Sequence, residues 1–105
     1  MNNKELIERM TSKQRFEAAL SGKAVDRPCA ASITSVINFE LMDLVGQHFP
    51  DANTEPEPMA ELAAGAHDLM GFDSVMPIFG IAQEATALGC VVDFSDPGNL
   101  PTPQF

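Results

Sequence analysis

Three hydroxyl side chains, Ser32, Thr34 and Ser35, follow one another at the end of the short uncharged run Cys29 to Thr34, where they could hydrogen-bond a ligand. Capping the next helix is the plainer use of such hydroxyls. Glu84 is the one carboxylate between Ile78 and Leu88, so it could face a pocket or bond a cofactor group; an exposed helix position is the alternative. Cys29 and Cys90 stand at no metal-like spacing, and His48 and His67 have no second donor near them in sequence. No residue is therefore assigned a catalytic step or a metal.

The elements that must position these groups are marked locally. Thr11 with Gln14 three residues on has the form of a capping box, in which two side chains satisfy backbone N–H groups left unpaired by the first turn. Phe16, Ala19 and Leu20 recur at helical spacing, Gly22 suits a helix stop, and Pro28 disfavours helix at Arg27. Cys29 to Thr34 suits a buried parallel strand. Asn38 to Val45 reads as an amphipathic helix with Phe39, Met42 and Val45 on the packing face and Gly46 as its stop. Residues 47 to 53 read as a loop. Thr54 with Glu57 offers a second capping box for a helix from about Glu55 to Met70. Phe72 to Pro77 is a second short strand, Ile78 to Leu88 is a loop or a short helix, and Cys90 to Phe94 is a third strand. Asp96 to Asn99 has turn chemistry, and Pro101 and Pro103 keep the tail extended. Residues 4 to 10 can form a helical turn or two.

All six Lys and Arg residues lie in the first 27 positions, where four acids leave +2; from Pro28 onward eleven acids and no Lys or Arg give −11, and the whole chain carries −9. That balance argues against a nucleic-acid surface, which needs clustered cations. It also leaves residues 28 to 105 no fixed cation for a polycarboxylate. No apolar run approaches the roughly 20 residues needed to cross a bilayer, and two cysteines with no apolar leader point to a reduced, cytoplasmic setting.

Thr11, Lys13 and Arg15, a short apolar helix, Gly22 and then Val25-Asp26-Arg27-Pro28 form a pattern that resembles the opening of the uroporphyrinogen decarboxylase superfamily. The likeness continues through residues 64 to 73 and 84 to 90. The resemblance implies an α/β chain that is the N-terminal portion of a (β/α)8 TIM barrel. Residues 1 to 27 would be a leading helix and loop, and 28 to 105 the first barrel strands and helices, with about three short strands. Such barrels need roughly 250 residues, so a chain of 105 is expected to be one part of a longer domain. Active sites of these barrels sit at the C-terminal ends of the strands, which places Thr34, Ser35 and Glu84 toward substrate or cofactor. Asp26, Arg27 and Pro28 precede a strand on the opposite side and are expected to be structural.

Within the superfamily, the decarboxylases use arginines after the first strand and an aspartate after the second, and that aspartate position falls here on Gly80. The methyltransferase branch is the better match. It implies zinc and a corrinoid for the full-length parent, a corrinoid protein as partner, and a small thiol such as coenzyme M as methyl acceptor. The zinc ligands would lie beyond Phe105, so this chain alone is expected to bind neither metal nor cofactor and to be inactive. A decarboxylase-like enzyme of unknown substrate is the alternative. So is a non-catalytic acidic interaction module. An open sheet edge and uncovered helix faces would favour a homo-oligomer.

Overall fold

A computed structural model describes residues 9 to 104. The expected helical turns over residues 4 to 10 lie largely outside the described residues. Helix α1 spans Ser12–Leu20, α2 Phe39–Val45, α3 Asp51–Thr54, α4 Pro56–Asp68 and α5 Gln83–Ala87; the strands are β1, Val92–Asp93, and β2, Thr102–Pro103.

The capping box at the start of α1 forms as the sequence predicts. The Gln14 N–H donates to Thr11 Oγ1 at 3.2 Å, and the Thr11 N–H donates to Gln14 Oε1 at 2.9 Å. The packed face of α1 differs from the apolar stripe, because Arg15 and Ala18 are buried while Leu20 is exposed. Arg15 wins the inward position because carboxylates await it there. In α2 the buried pair is Leu41 and Met42, and Phe39 is 61% exposed. The first helical residue projects past the core rather than into it, while Asn38 accepts the Leu41 N–H at 2.7 Å and sets the helix start. The expected loop over 47 to 53 contains α3, entered through a cis Phe49–Pro50 peptide. Thr54 does not cap α4: its hydroxyl lies 3.4 Å from the Pro50 carbonyl, and α4 begins with Pro56 after an uncapped Glu55. A proline in the first turn lacks an N–H that would need a partner.

Helices α2, α3 and α4 enclose the core of Leu41, Met42, Phe49, Ala52, Leu62, Ala63 and Phe79. Gly65 lets α4 approach α2 closely, since a Cβ there would stand 2.8 Å from Val45 Cγ2 and 3.1 Å from Leu41 Cδ1. Even alanine would force those side chains to move.

The strands depart from expectation. Among the described residues, 29 to 34 and 72 to 77 do not form a ladder, and the two observed strands pair antiparallel with each other, Val92 opposite Pro103 and Asp93 opposite Thr102. Segments 29 to 34 and 72 to 77 nevertheless run side by side in the same direction. The Asp73 N–H donates to the Ala30 carbonyl at 2.7 Å. Elsewhere side chains replace ladder bonds: the Ala30 N–H donates to Asp73 Oδ2, the Ser32 N–H to Ser74 Oγ, and the Ser74 hydroxyl to the Ser32 carbonyl. Carboxylate and hydroxyl thus occupy the bonding positions a regular ladder would use.

Candidate functional site: an apolar cleft above an ion cluster

Opposite ends of these two segments carry different chemistry. At their N-terminal end, Arg15 and Asp73 bury their side chains completely or nearly so. Arg15 donates from Nη1 to Asp73 Oδ1 at 2.6 Å and from Nε and Nη2 to the two oxygens of Asp26 at 2.7 and 2.9 Å. Its Nη2 also donates to the Met10 carbonyl. Arg27 forks onto Asp73 at 2.8 and 3.0 Å and donates to the Pro28 carbonyl. Planar guanidinium geometry matches a carboxylate at two points, which a lysine could not do.

The charges hold one another ionised. Hydrogen bonding to Arg15, with the Met10 and Arg27 N–H groups, keeps the Asp26 carboxyl well below the usual carboxylate range. For Asp73 burial pushes upward, but the Ala30 N–H, Arg27, Ser12 and Arg15 together outweigh it and hold the carboxyl well below that range too. Asp26, chiefly, raises Arg15 above its ordinary value against the opposing effect of burial. The cluster clasps α1, the 26–28 loop and both extended segments. Each of its four charged groups is ion-paired within it.

At the other end the segments open into a cleft of about 690 Å³, walled by apolar groups including Ile33, Ile37, Phe39, Met76 and Ile78. Its floor is Phe49 against Phe79, with ring centroids 5.9 Å apart and planes tilted by 57°. Thr34 and Ser35 line it, together with Asn38, Glu40 and Asn99. The Thr34 N–H donates to Ser32 Oγ, whose hydroxyl lies 3.2 Å from Thr34 Oγ1. Asn38, not these hydroxyls, caps α2. Glu84 is exposed on α5 and borders a separate hollow of about 270 Å³ with Ile78, Gly80, Ile81 and Gln83. The structure therefore brings Thr34 and Ser35 together and sets Glu84 beside them in an adjoining recess.

Sequence reasoning missed Arg15, Asp73 and the Phe49–Phe79 floor. A charge on the inward side of α1, beside Phe16 and Ala18, was the available signal for Arg15. No local signal marked Asp73, because its partners Arg15, Arg27 and Ala30 lie 58, 46 and 43 positions away.

Among the described residues no three His, Cys, Asp or Glu side chains converge as metal donors. His48 pairs with Asp43 and His67 with Asp68 on the surface, and Cys29 and Cys90 are free thiols. These residues do not fit a zinc centre. No helix among them is long and apolar enough to cross a membrane.

An extended pair ending in a cleft, with an arginine–aspartate clasp beneath it, is the arrangement of a partial α/β domain. The uroporphyrinogen decarboxylase (URO-D) family model matches residues 11–104, and the chain belongs to that family. It is 37% identical over 92 residues to the methylcobamide:CoM methyltransferase MtaA of Methanosarcina barkeri, covering 88% of this chain and 27% of that protein. It is 35% identical, with the same coverage, to the methylcobamide:CoM methyltransferase MtbA of Methanosarcina acetivorans. A solved methyltransferase from Methanosarcina mazei superposes with a TM-score of 0.82 at 35% identity, over 91% of this chain and 28% of that one. The chain thus spans about a quarter of the length of the relatives it matches.

Proposed function

We propose that this chain forms the N-terminal part of a corrinoid-dependent methyltransferase, which moves a methyl group from a methylated corrinoid protein to a thiol such as coenzyme M. The observation that carries the reading is the cleft, apolar and free of Lys and Arg, in a chain whose relatives are methylcobamide:CoM methyltransferases. A polycarboxylate substrate needs paired cations, and residues 28 to 105 contain none. Gly80 adds to this. A Cβ there would lie 3.2 Å from Pro101 Cγ and 3.3 Å from the Gln83 amide, so a larger side chain, such as the aspartate of the decarboxylases, meets occupied space.

In this reading Thr34 and Ser35 face the ligand, and the Arg15–Asp26–Arg27–Asp73 cluster, with Pro28, is structural. Zinc, which would lower the pKa of the thiol, takes its ligands from outside residues 9 to 104. The setting is cytoplasmic. The test is the protein that carries this chain, incubated with methylcobalamin and 2-mercaptoethanesulfonate while the corrinoid spectrum and free thiol are followed. Loss of methylcobalamin matched by loss of thiol is expected. Decarboxylation of uroporphyrinogen without demethylation would overturn the proposal in favour of the decarboxylase alternative.

A further inference from the structure

The hairpin of residues 91 to 104 forms one side of the cleft through Pro97, Gly98, Asn99 and Leu100. Its ladder is two residue pairs long, extended by the Gln104 N–H donating to the Val91 carbonyl at 2.9 Å. Isolated two-stranded hairpins are marginally stable in water. Pro101 is the one buried residue of the segment. It seats against Gly80, where the Gln83 carboxamide also converges. Both polar atoms of that carboxamide are sealed from solvent without a hydrogen-bond partner. A carboxamide offers two donors and an acceptor, and sealing all of them unpaired opposes the contact that Pro101 makes. Upstream the hairpin leaves α5 at Gly89, whose φ of +95° closes the helix, the Gly89 N–H donating to the Thr86 carbonyl and the Cys90 N–H to the Ala85 carbonyl, both at 3.0 Å.

We propose that residues 91 to 104 are a movable cover of the cleft, and that opening uncovers the Gln83 carboxamide at the boundary between the cleft and the Glu84 hollow. Closed, the cover buries Pro101 and strands the amide. Open, the amide is hydrated and the two hollows, which share Ile78, Gly80 and Ile81, become one. This inference holds whatever the reaction.

Hydrogen exchange on the chain, read by NMR, tests it. In the wild type the Gln104 amide should exchange much faster than that of Leu69, the C-cap of α4, which donates to the Gly65 carbonyl. Gln83→Leu removes the stranded amide and should slow Gln104 roughly tenfold without changing Leu69. Gln83→Asn keeps an amide and should leave Gln104 near the wild-type rate. Gln104 and Leu69 exchanging together in the wild type would overturn the cover, even were Gln83→Leu unable to fold. An unchanged or faster Gln104 in a folded Gln83→Leu would overturn it as well.

Discussion

Asp73→Asn isolates the ion cluster with almost no change of shape. Oδ1 of Asp73 accepts from Arg15 Nη1 at 2.6 Å and Arg27 Nη2 at 3.0 Å, and Oδ2 accepts from Arg27 Nη1 at 2.8 Å and Ala30 N at 2.9 Å. Whichever oxygen becomes the amide nitrogen, two donors then face a donor, and the Arg15 charge stays buried with one carboxylate fewer. Breaking one side of a buried pair costs about 3–5 kcal/mol. Water reaches Arg27, whose side chain is 31% exposed, so the lower end, about 3 kcal/mol, is expected. Urea unfolding at pH 7 followed by circular dichroism measures it. The acid limb supplies a second readout. A carboxyl held low in the folded state contributes stability that is fully present above its unfolded pKa of about 3.9 and is lost as pH falls below that value toward the folded pKa. Wild-type protein should therefore lose stability below about pH 4, and Asp73→Asn should lose less over the same range. A variant within about 0.5 kcal/mol of wild type, with an unchanged acid limb, would show that the cluster does not hold the fold.

Leu62→Ala, at a side chain with no exposure, should cost about 2–5 kcal/mol in the same urea experiment; a smaller loss would mean that the helices collapse around the vacancy. Arg27→Ala in the protein carrying this chain should lower Tm, by less than Asp73→Asn, and leave turnover per folded molecule nearly unchanged; a large loss of turnover at intact Tm would make Arg27 catalytic. Metal analysis after chelation and zinc reloading should find no stoichiometric zinc on the 105-residue chain, and one tightly held ion would place the ligands within it. With Ile33, Ile81 and Leu88 between 87% and 91% exposed and a radius of gyration of 17.0 Å against about 13 Å for a compact chain of this size, the chain should self-associate, more strongly in salt, which screens its −9 charge. Light scattering that shows a monomer at low and high salt alike would refute this.

The capping box at Thr11 and the helices near Phe39–Val45 and Pro56–Asp68 could be read from the chain itself, because caps, helical spacing and stops act within a few residues. The uneven charge, and with it the absence of Lys and Arg from residues 28 to 105, was equally legible, since composition does not depend on folding. Membership of the family rested on short motifs whose spacing is also local. The inward face of α1, the exposure of Phe39 and the loss of a regular ladder between residues 29 to 34 and 72 to 77 were decided only in three dimensions. For the first and the last a partner distant in sequence settled the outcome. Asp73 reaches Arg15 across 58 positions and Ala30 across 43, and it turns a charged residue inward and takes an N–H that a strand would have used. A buried charge goes where its counter-charge is, and no periodicity of apolar residues can encode that meeting.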